Sequence, residues 1–178
     1  MAEKLQIKIE FNRIEDRLLL HISEGKGQAC TEYKLWLTRR FVGFFIKAVD
    51  KLVEDVLASD MLLSPEALEA MKKFQQEAAL AKADFSSSYE ADAGNSALIG
   101  EPPLLVSTLK IKEKAKGMYV FSLLTSENTG VHLTASMDLI HSLRKMLVDS
   151  ARNAEWGQPV IEAVGLEEKS TGHGRFVS

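Results

Sequence analysis

The pattern of three strands followed by one long amphipathic helix occurs twice in this sequence, over residues 5–57 and again over residues 104–156. The junction between the last strand and the helix is similar in both copies, because LWLT at 35–38 and VHLT at 131–134 each lead into the helix. Duplicated units usually pack on each other about a pseudo-twofold axis. The sequence therefore predicts an α+β fold of two pseudo-repeats, each with three antiparallel strands and one long helix.

Alternating side chains mark the strands of the first copy. Residues 5–11 alternate between apolar and polar, which is typical of a half-buried strand. Two further strands are expected at 18–23 and 33–37, separated by a glycine-containing turn at 25–27. Thr38 is the expected N-cap of the following helix. The apolar stripe of that helix consists of Phe41, Phe45, Ala48, Leu52 and Val56.

The second copy repeats this order. Residues 105–111 alternate like the first strand, Gly117 marks a turn, and two more strands are expected between residues 119 and 133. Gly157 and Pro159 are expected to end the helix, since glycine and proline commonly follow a helix C-terminus. The helix has two candidate N-caps, Thr134 and Ser136.

A third helix is expected in the insert between the copies. It begins at Ser64, followed by proline at the first turn, and runs to about Asp84 as an appendage or a dimer element. Residues 86–103 are polar and contain glycine and proline, and predict a mobile connection. The insert carries eight acidic and three basic residues, whereas the two repeats are mildly basic. The predicted segments are 1–58 (first repeat), 59–103 (acidic insert and linker), 104–157 (second repeat) and 158–178 (flexible tail).

Composition excludes several classes of protein. The net charge of −3 gives no global attraction to nucleic acid or anionic membranes. Cys30 is the single cysteine, which rules out an internal disulfide and suits a reducing cytoplasm. No secretion signal and no apolar stretch long enough to span a bilayer is visible, so we expect a cytoplasmic protein without a membrane partner. The four histidines lack metal-ligand spacing, and no cofactor or metal is predicted.

Lysines at every second position form the sharpest candidate for a binding site. An extended chain would point all of them to one side, where each could neutralise a phosphate of a nucleic-acid backbone. The alternatives are a strand with a solvated outer face, or an edge strand that lysines protect from aggregation. These residues are Lys110, Lys112, Lys114 and Lys116.

Basic residues and a tryptophan surround the start of the first long helix. Arg39 and Arg40 are unusual there because cations oppose the helix dipole, so we expect a phosphate, Glu32 or the acidic insert to compensate them. Trp36 faces away from the apolar side of its strand, together with Lys34. Either the sheet is covered on both faces, or Trp36 belongs to a binding or dimer surface where it stacks on bases. The strand aromatics Tyr33, Tyr119 and Phe121 are assigned to the core.

The layout resembles the PUR-repeat and Whirly-type single-stranded nucleic-acid-binding proteins. The best local likeness is VHLTASM at 131–137, which runs into the helix at 139–149 through small polar residues as PUR repeats do. That family has four strands in each unit, whereas this sequence indicates three, and the insert has no counterpart. The segments at 35–40 and 154–157 are similar to those of small bacterial proteins. The resemblance implies binding of single-stranded nucleic acid.

Three functional hypotheses follow from these patterns. The first is a non-enzymatic protein that binds single-stranded nucleic acid through a basic sheet surface. The second is a protein-interaction module or subunit of a larger bacterial assembly, with a homo-oligomer expected in either case. The third is an enzyme, which requires a pocket with convergent polar groups around His132 or His141. No catalytic residue is predicted.

Overall fold

The first repeat supplies three of the four strands of one sheet. The computed structural model describes residues 5–25, 31–60, 64–82 and 97–157. In the first sheet the strand order is β1-β2-β3-β4, with antiparallel pairing from β1 to β3 and parallel pairing of β3 with β4. The strands are β1 (Leu5–Asn12), β2 (Arg17–Glu24), β3 (Thr31–Leu37) and β4 (Ala97–Leu105).

The second repeat forms a three-stranded antiparallel sheet in the order β5-β6-β7. Val106 and Ser107 connect the two sheets, since the Val106 amide donates to the Trp36 carbonyl and the Ser107 amide donates to the Leu124 carbonyl. The strands are β5 (Thr108–Ala115), β6 (Met118–Leu124) and β7 (Gly130–Ser136). The α+β class and the three-stranded antiparallel units predicted from the sequence are therefore confirmed.

The described part of the chain contains three helices, and each begins at an N-cap that the sequence predicts. The hydroxyls of Thr38, Ser64 and Ser136 accept hydrogen bonds from the amides three residues further on. Of the two candidates for the last helix, Ser136 is the cap. The helices are α1 (Arg39–Asp60), α2 (Pro65–Lys82) and α3 (Met137–Asn153).

One continuous core joins both repeats. Phe45 of α1 packs against Phe121 of β6, with ring centroids 5.7 Å apart. The guanidinium of Arg144 on α3 holds Asp50 of α1 through two hydrogen bonds of 2.6 and 3.1 Å. Helix α2 packs against both α1 and α3, and its Ala79 is buried. The prediction that this helix is an appendage is therefore wrong.

The prediction of a mobile connection over residues 86–103 is also wrong for its second half. Residues 97–105 form β4, which extends the first sheet to four strands. Pro102 and Pro103 concealed this strand in the sequence, because proline cannot donate to a ladder. An edge strand tolerates proline, and the register of β3 with β4 shifts between Tyr33 and Leu35. The first half of the predicted connection lies outside the described residues.

The end of α3 differs from the sequence prediction. Glu155, with φ of 55°, occupies the left-handed position that Gly157 was expected to fill. Its amide donates to the Arg152 carbonyl, and the Trp156 amide donates to the Ala151 carbonyl. This is a Schellman arrangement, in which an apolar residue just beyond the helix folds back onto it. Trp156 is consequently fully buried.

Candidate nucleic-acid interface

The second sheet leaves one face uncovered by the core. Alternation along β5, β6 and β7 sends Ile111, Phe121 and Leu133 inward, and their chain neighbours outward. Six of these outward residues form two cross-strand rows, which we call the open face. The rows are Lys110–Ser122–His132 and Lys112–Val120–Thr134. None of the six side chains is acidic, so the charges on this face are positive.

The four lysines of β5 and its turn are exposed. Within the described residues, none of them has an ion-pair partner. Among the other lysines that the structure describes, five are instead paired with carboxylates: Lys8, Lys34, Lys51, Lys72 and Lys145. The β5 lysines thus leave a positive charge that the described part of the protein does not neutralise locally.

The regular alternation of these lysines is interrupted. The register of β5 with β6 shifts between Glu113 and Ala115, so Lys114 lies at a bulge. Lys116 lies in the turn before Gly117, whose φ is 74°. Only Lys110 and Lys112 keep the spacing that places side chains on the same face. In addition, β5 is an edge strand, so the protective role considered as an alternative also fits its position.

His132 is a member of the open face that sequence reasoning missed. It is exposed, and its Nδ1 lies 2.8 Å from the Ser122 hydroxyl, which orients the ring. Histidine is among the side chains on which unpaired bases stack. Tyr119 and Phe121 point into the core, as predicted, and are absent from this face. The pairing of β6 with β7 was the missing information, because it sets His132 in one row with Lys110.

Lys34 and Trp36 lie on a different surface, the outer face of the first sheet. The Lys34 ammonium donates to Glu101 at 2.8 Å, and this hydrogen bond raises the pKa of Lys34. Trp36 is half-buried between its register partners Leu19 and Leu105. Lys34 is therefore less available to phosphates than the β5 lysines, while Trp36 remains partly accessible.

Charged groups fill the neighbouring part of this outer face. His21 lies between two carboxylates, with Nδ1 3.1 Å from Glu32 and Nε2 3.2 Å from Glu10. Lys8 donates to Glu10, and this hydrogen bond lowers the pKa of Glu10. The side chains of His21 and Glu32 are nearly buried. This face is therefore an internally compensated charge network across β1, β2 and β3.

Arg39 pairs with Asp16 in the β1–β2 turn, a partner that sequence reasoning missed. The guanidinium lies 2.7 Å from the carboxylate and 5.4 Å from the centre of the Trp156 ring. Trp156 Nε1 also donates to Asp16 at 3.0 Å. The hydrogen bonds from Arg39 and Trp156 lower the pKa of Asp16. Glu32, the partner considered from the sequence, contacts His21 instead.

Arg40 lines a cavity of about 490 Å³ on the side of α1. Within the described residues it has no ion-pair or hydrogen-bond partner. The other cavity-lining residues are Arg39, Gly43, Phe44, Lys47, Trp156 and Gly157. Neither His132 nor His141 is among them, so this cavity is not the one that the enzyme hypothesis requires.

His141 is buried on α3, where the charges of Arg144 and Asp138 on the same helix and of Asp50 on α1 act on it. Burial is the main cause that lowers its pKa, and the positive charge of Arg144 lowers the pKa further. The negative charges of Asp138 and Asp50 oppose this change. Across the described ranges, no group of three or more His, Cys, Asp or Glu side chains could hold a metal ion.

Comparison with known proteins adds no family. No protein-family model, curated protein or solved structure matches this chain. Among residues 5–25, 31–60, 64–82 and 97–157, no helix is both long and apolar enough to cross a membrane. The functional assignment therefore depends on the surfaces described above.

Proposed function

We propose that this chain is a non-enzymatic binding protein for single-stranded nucleic acid in the cytoplasm, with the open face as its binding surface. One observation carries the proposal: four exposed lysines without ion-pair partners in the described residues adjoin a face that has no acidic side chain. Cations of this kind bind phosphates by displacing the counterions that surround a nucleic acid.

The dimensions of the sheet support this binding mode. Successive outward residues on one strand are roughly 7 Å apart, which is close to the spacing of phosphates in an extended single strand. Lys110 and Lys112 would contact adjacent phosphates, and Lys114 and Lys116 would continue the contacts beyond the bulge. His132 would stack on a base, while Ser122 and Thr134 offer hydroxyls to bases or sugars.

The other predicted contacts have a smaller role in this proposal. Lys34 is already held by Glu101, and Arg39 by Asp16, so phosphates would have to compete with carboxylates for both. Trp36 lies on the first sheet, and Arg40 lines the cavity of α1. The open face is therefore the surface to test first.

The direct test is fluorescence anisotropy with labelled single strands of DNA and RNA. With three or four phosphate contacts, we expect affinity to fall roughly 20- to 50-fold between about 50 mM and 200 mM salt. Lys110→Gln and Lys112→Gln should each reduce the slope of log affinity against log salt by about 0.7. The matched control is Lys73→Gln, which removes one exposed charge from α2.

A charge reversal separates binding from edge protection. Lys110→Glu with Lys112→Glu keeps the edge of the sheet charged, so the protein should stay monodisperse if the lysines only prevent aggregation. The same variant should lose nucleic-acid binding if the lysines contact phosphates. Absence of binding by the unmodified protein at about 50 mM salt, where phosphate contacts are strongest, would refute the proposal.

A second candidate function is protein interaction, including self-association. Phe74 on α2 is 66% exposed and would supply an apolar contact to a second copy or to a partner protein. If α2 forms a dimer interface, Phe74→Ser should convert a dimer into a monomer in light scattering. A monomer in the unmodified protein at high concentration would exclude self-association through this helix.

A further inference from the structure

Arg40, Gly43, Phe44 and Lys47 lie along one side of α1, because positions three, four and seven apart share a helix face. They form one wall of the cavity of about 490 Å³, which Arg39, Trp156 and Gly157 also line. Small-molecule sites commonly have volumes of about 300–1,000 Å³. The cavity, which we call the α1 pocket, is therefore large enough for a small organic ligand.

The charge of the α1 pocket is positive. Arg39, Arg40 and Lys47 line it, and none of the described residues that line it carries a carboxylate. Asp16 compensates Arg39, whereas Arg40 and Lys47 have no ion-pair partner in the described residues. Two uncompensated cations that border one cavity are suited to an anion that carries more than one negative charge, such as a phosphate monoester.

The apolar part of the α1 pocket contains an exposed aromatic ring. Phe44 is 55% exposed between Arg40 and Lys47, although a phenylalanine is normally buried. An exposed aromatic ring between two cations stacks well on a planar ring that carries a negative group. The combination favours a ligand with a ring and a phosphate over a simple anion.

Two glycines keep the α1 pocket open. Gly43 lies inside α1, where glycine is less favourable than alanine, and a Cβ at this position would meet nothing within 4 Å. A Cβ at Gly157 would also enter open space. Packing of the described residues therefore does not require glycine at either position. Glycine at a position where packing does not require it is expected where a ligand approaches the backbone.

We infer that the α1 pocket binds a nucleoside phosphate, with the ring on Phe44 and the phosphate between Arg40 and Lys47. This inference is independent of the proposed function, because the α1 pocket shares no residue with the open face. The same chemistry occurs in a free nucleotide and at the phosphorylated end of a strand, and the experiment distinguishes these two sources.

Isothermal titration calorimetry with AMP, adenosine and inorganic phosphate tests the ligand class. AMP should bind at least about tenfold more tightly than either fragment, since only AMP engages both the ring and the cations. Arg40→Gln, Lys47→Gln and Phe44→Ala should each weaken AMP binding by about tenfold or more. Lys73→Gln again serves as the control with an equal change in charge.

Gly43→Leu is the sharpest variant, because a Cβ at this position meets nothing within 4 Å and the longer side chain would extend into the α1 pocket. It should fold with an unchanged or higher melting temperature and lose AMP binding, while oligonucleotide binding by the open face persists. Gly43→Ala provides a smaller step in the same direction. A folded Gly43→Leu protein that binds AMP with unchanged affinity would overturn the inference, as would failure of the unmodified protein to bind AMP at millimolar concentration.

Strands with and without a 5′-phosphate identify the source of the ligand. If Gly43→Leu removes a preference for phosphorylated strands, the α1 pocket holds a strand end. If AMP binds but 5′-phosphorylated strands show no preference, the α1 pocket holds a free nucleotide. Both outcomes support a nucleoside phosphate as the ligand. The test of the open face, Lys110→Glu with Lys112→Glu, is a separate measurement, so either proposal can fail without the other.

Discussion

Helices α1 and α3 close the two repeats in the same way but begin with opposite charges. The first turn of α3 contains Asp138, and its last turn contains Arg152, so both ends complement the helix dipole. The first turn of α1 contains Arg39 and Arg40 and no acidic residue. Both helices have a hydroxyl N-cap, so the difference lies in the charges that follow the cap.

This difference indicates that only α3 is electrostatically self-sufficient. The start of α1 depends on the β1–β2 turn and on the end of α3, which supply Asp16 and Trp156 to Arg39. Arg40 receives no such compensation from the described residues. A duplicated unit can therefore keep its strand and helix pattern in both copies while one copy carries an uncompensated charge at the start of its helix.

The largest effect should come from Trp156, which joins the two repeats. Trp156→Ala removes a fully buried ring that contacts Phe11 edge to face and donates to Asp16, so we expect a loss of about 3–5 kcal/mol. Trp156→Phe should cost less because it keeps the ring contact. Chemical denaturation measures both. A loss below about 1 kcal/mol for Trp156→Ala would show that α1 does not depend on the second repeat.

The next largest effect should come from the ion pair between the helices. Asp50→Ala leaves the buried Arg144 guanidinium without this carboxylate, and we expect destabilisation of about 3 kcal/mol. Asp50→Leu combined with Arg144→Met should recover much of this loss, because neither position of the pair then carries a charge. Equal destabilisation by the single and double changes would contradict this account.

A pH titration should reveal His141 on the buried side of α3. Its pKa is lowered in the folded protein, so the unfolded chain takes up a proton first as the pH falls. Stability is complete above the unfolded pKa of about 6.5 and decreases below it, by about 1.4 kcal/mol for each unit of lowering. His141→Leu should flatten this dependence between about pH 6.5 and the folded pKa. An unchanged profile would assign the acid sensitivity to other groups.

The smallest effect tests the comparison of the helix starts directly. Arg40→Glu places an acid in the first turn of α1, as in α3, and should stabilise the protein by about 0.3–1 kcal/mol. Asp138→Arg should destabilise α3 by a similar amount. The same Arg40→Glu variant should lose AMP binding, since a cation of the α1 pocket is reversed. A lower stability of Arg40→Glu would contradict the assignment of Arg40 as an uncompensated cation.

The strands and helix starts were predictable because local chemistry specifies them. Strand alternation and a hydroxyl residue before each helix depend only on neighbours in the sequence, and Thr38, Ser64 and Ser136 all cap as expected. Strand β4 was missed because its prolines normally signal a loop, and only its pairing with β3 at the sheet edge makes it a strand. The pairing of two strands that are far apart in the sequence cannot be read from the neighbours of either strand.

The candidate sites show the same limit. The sequence singled out the lysines of β5, yet the position of His132 beside Lys110 depends on the register of three strands. Similarly, Arg39 and Arg40 were recognised as unusual, but Asp16 and Trp156 come from distant parts of the chain. Local patterns identified charges that needed a partner, and the tertiary structure supplied the partners.

The contact between Trp156 and the first repeat has a consequence for folding during translation. A ribosome completes β1, β2, β3 and α1 long before Trp156 leaves the exit tunnel, and domains usually fold from the N-terminus onward. Until then, Asp16 and Arg39 lack the indole, and β3 lacks β4. The nascent first repeat therefore remains unfinished, and we expect it to gain resistance to proteases only after the second repeat has emerged.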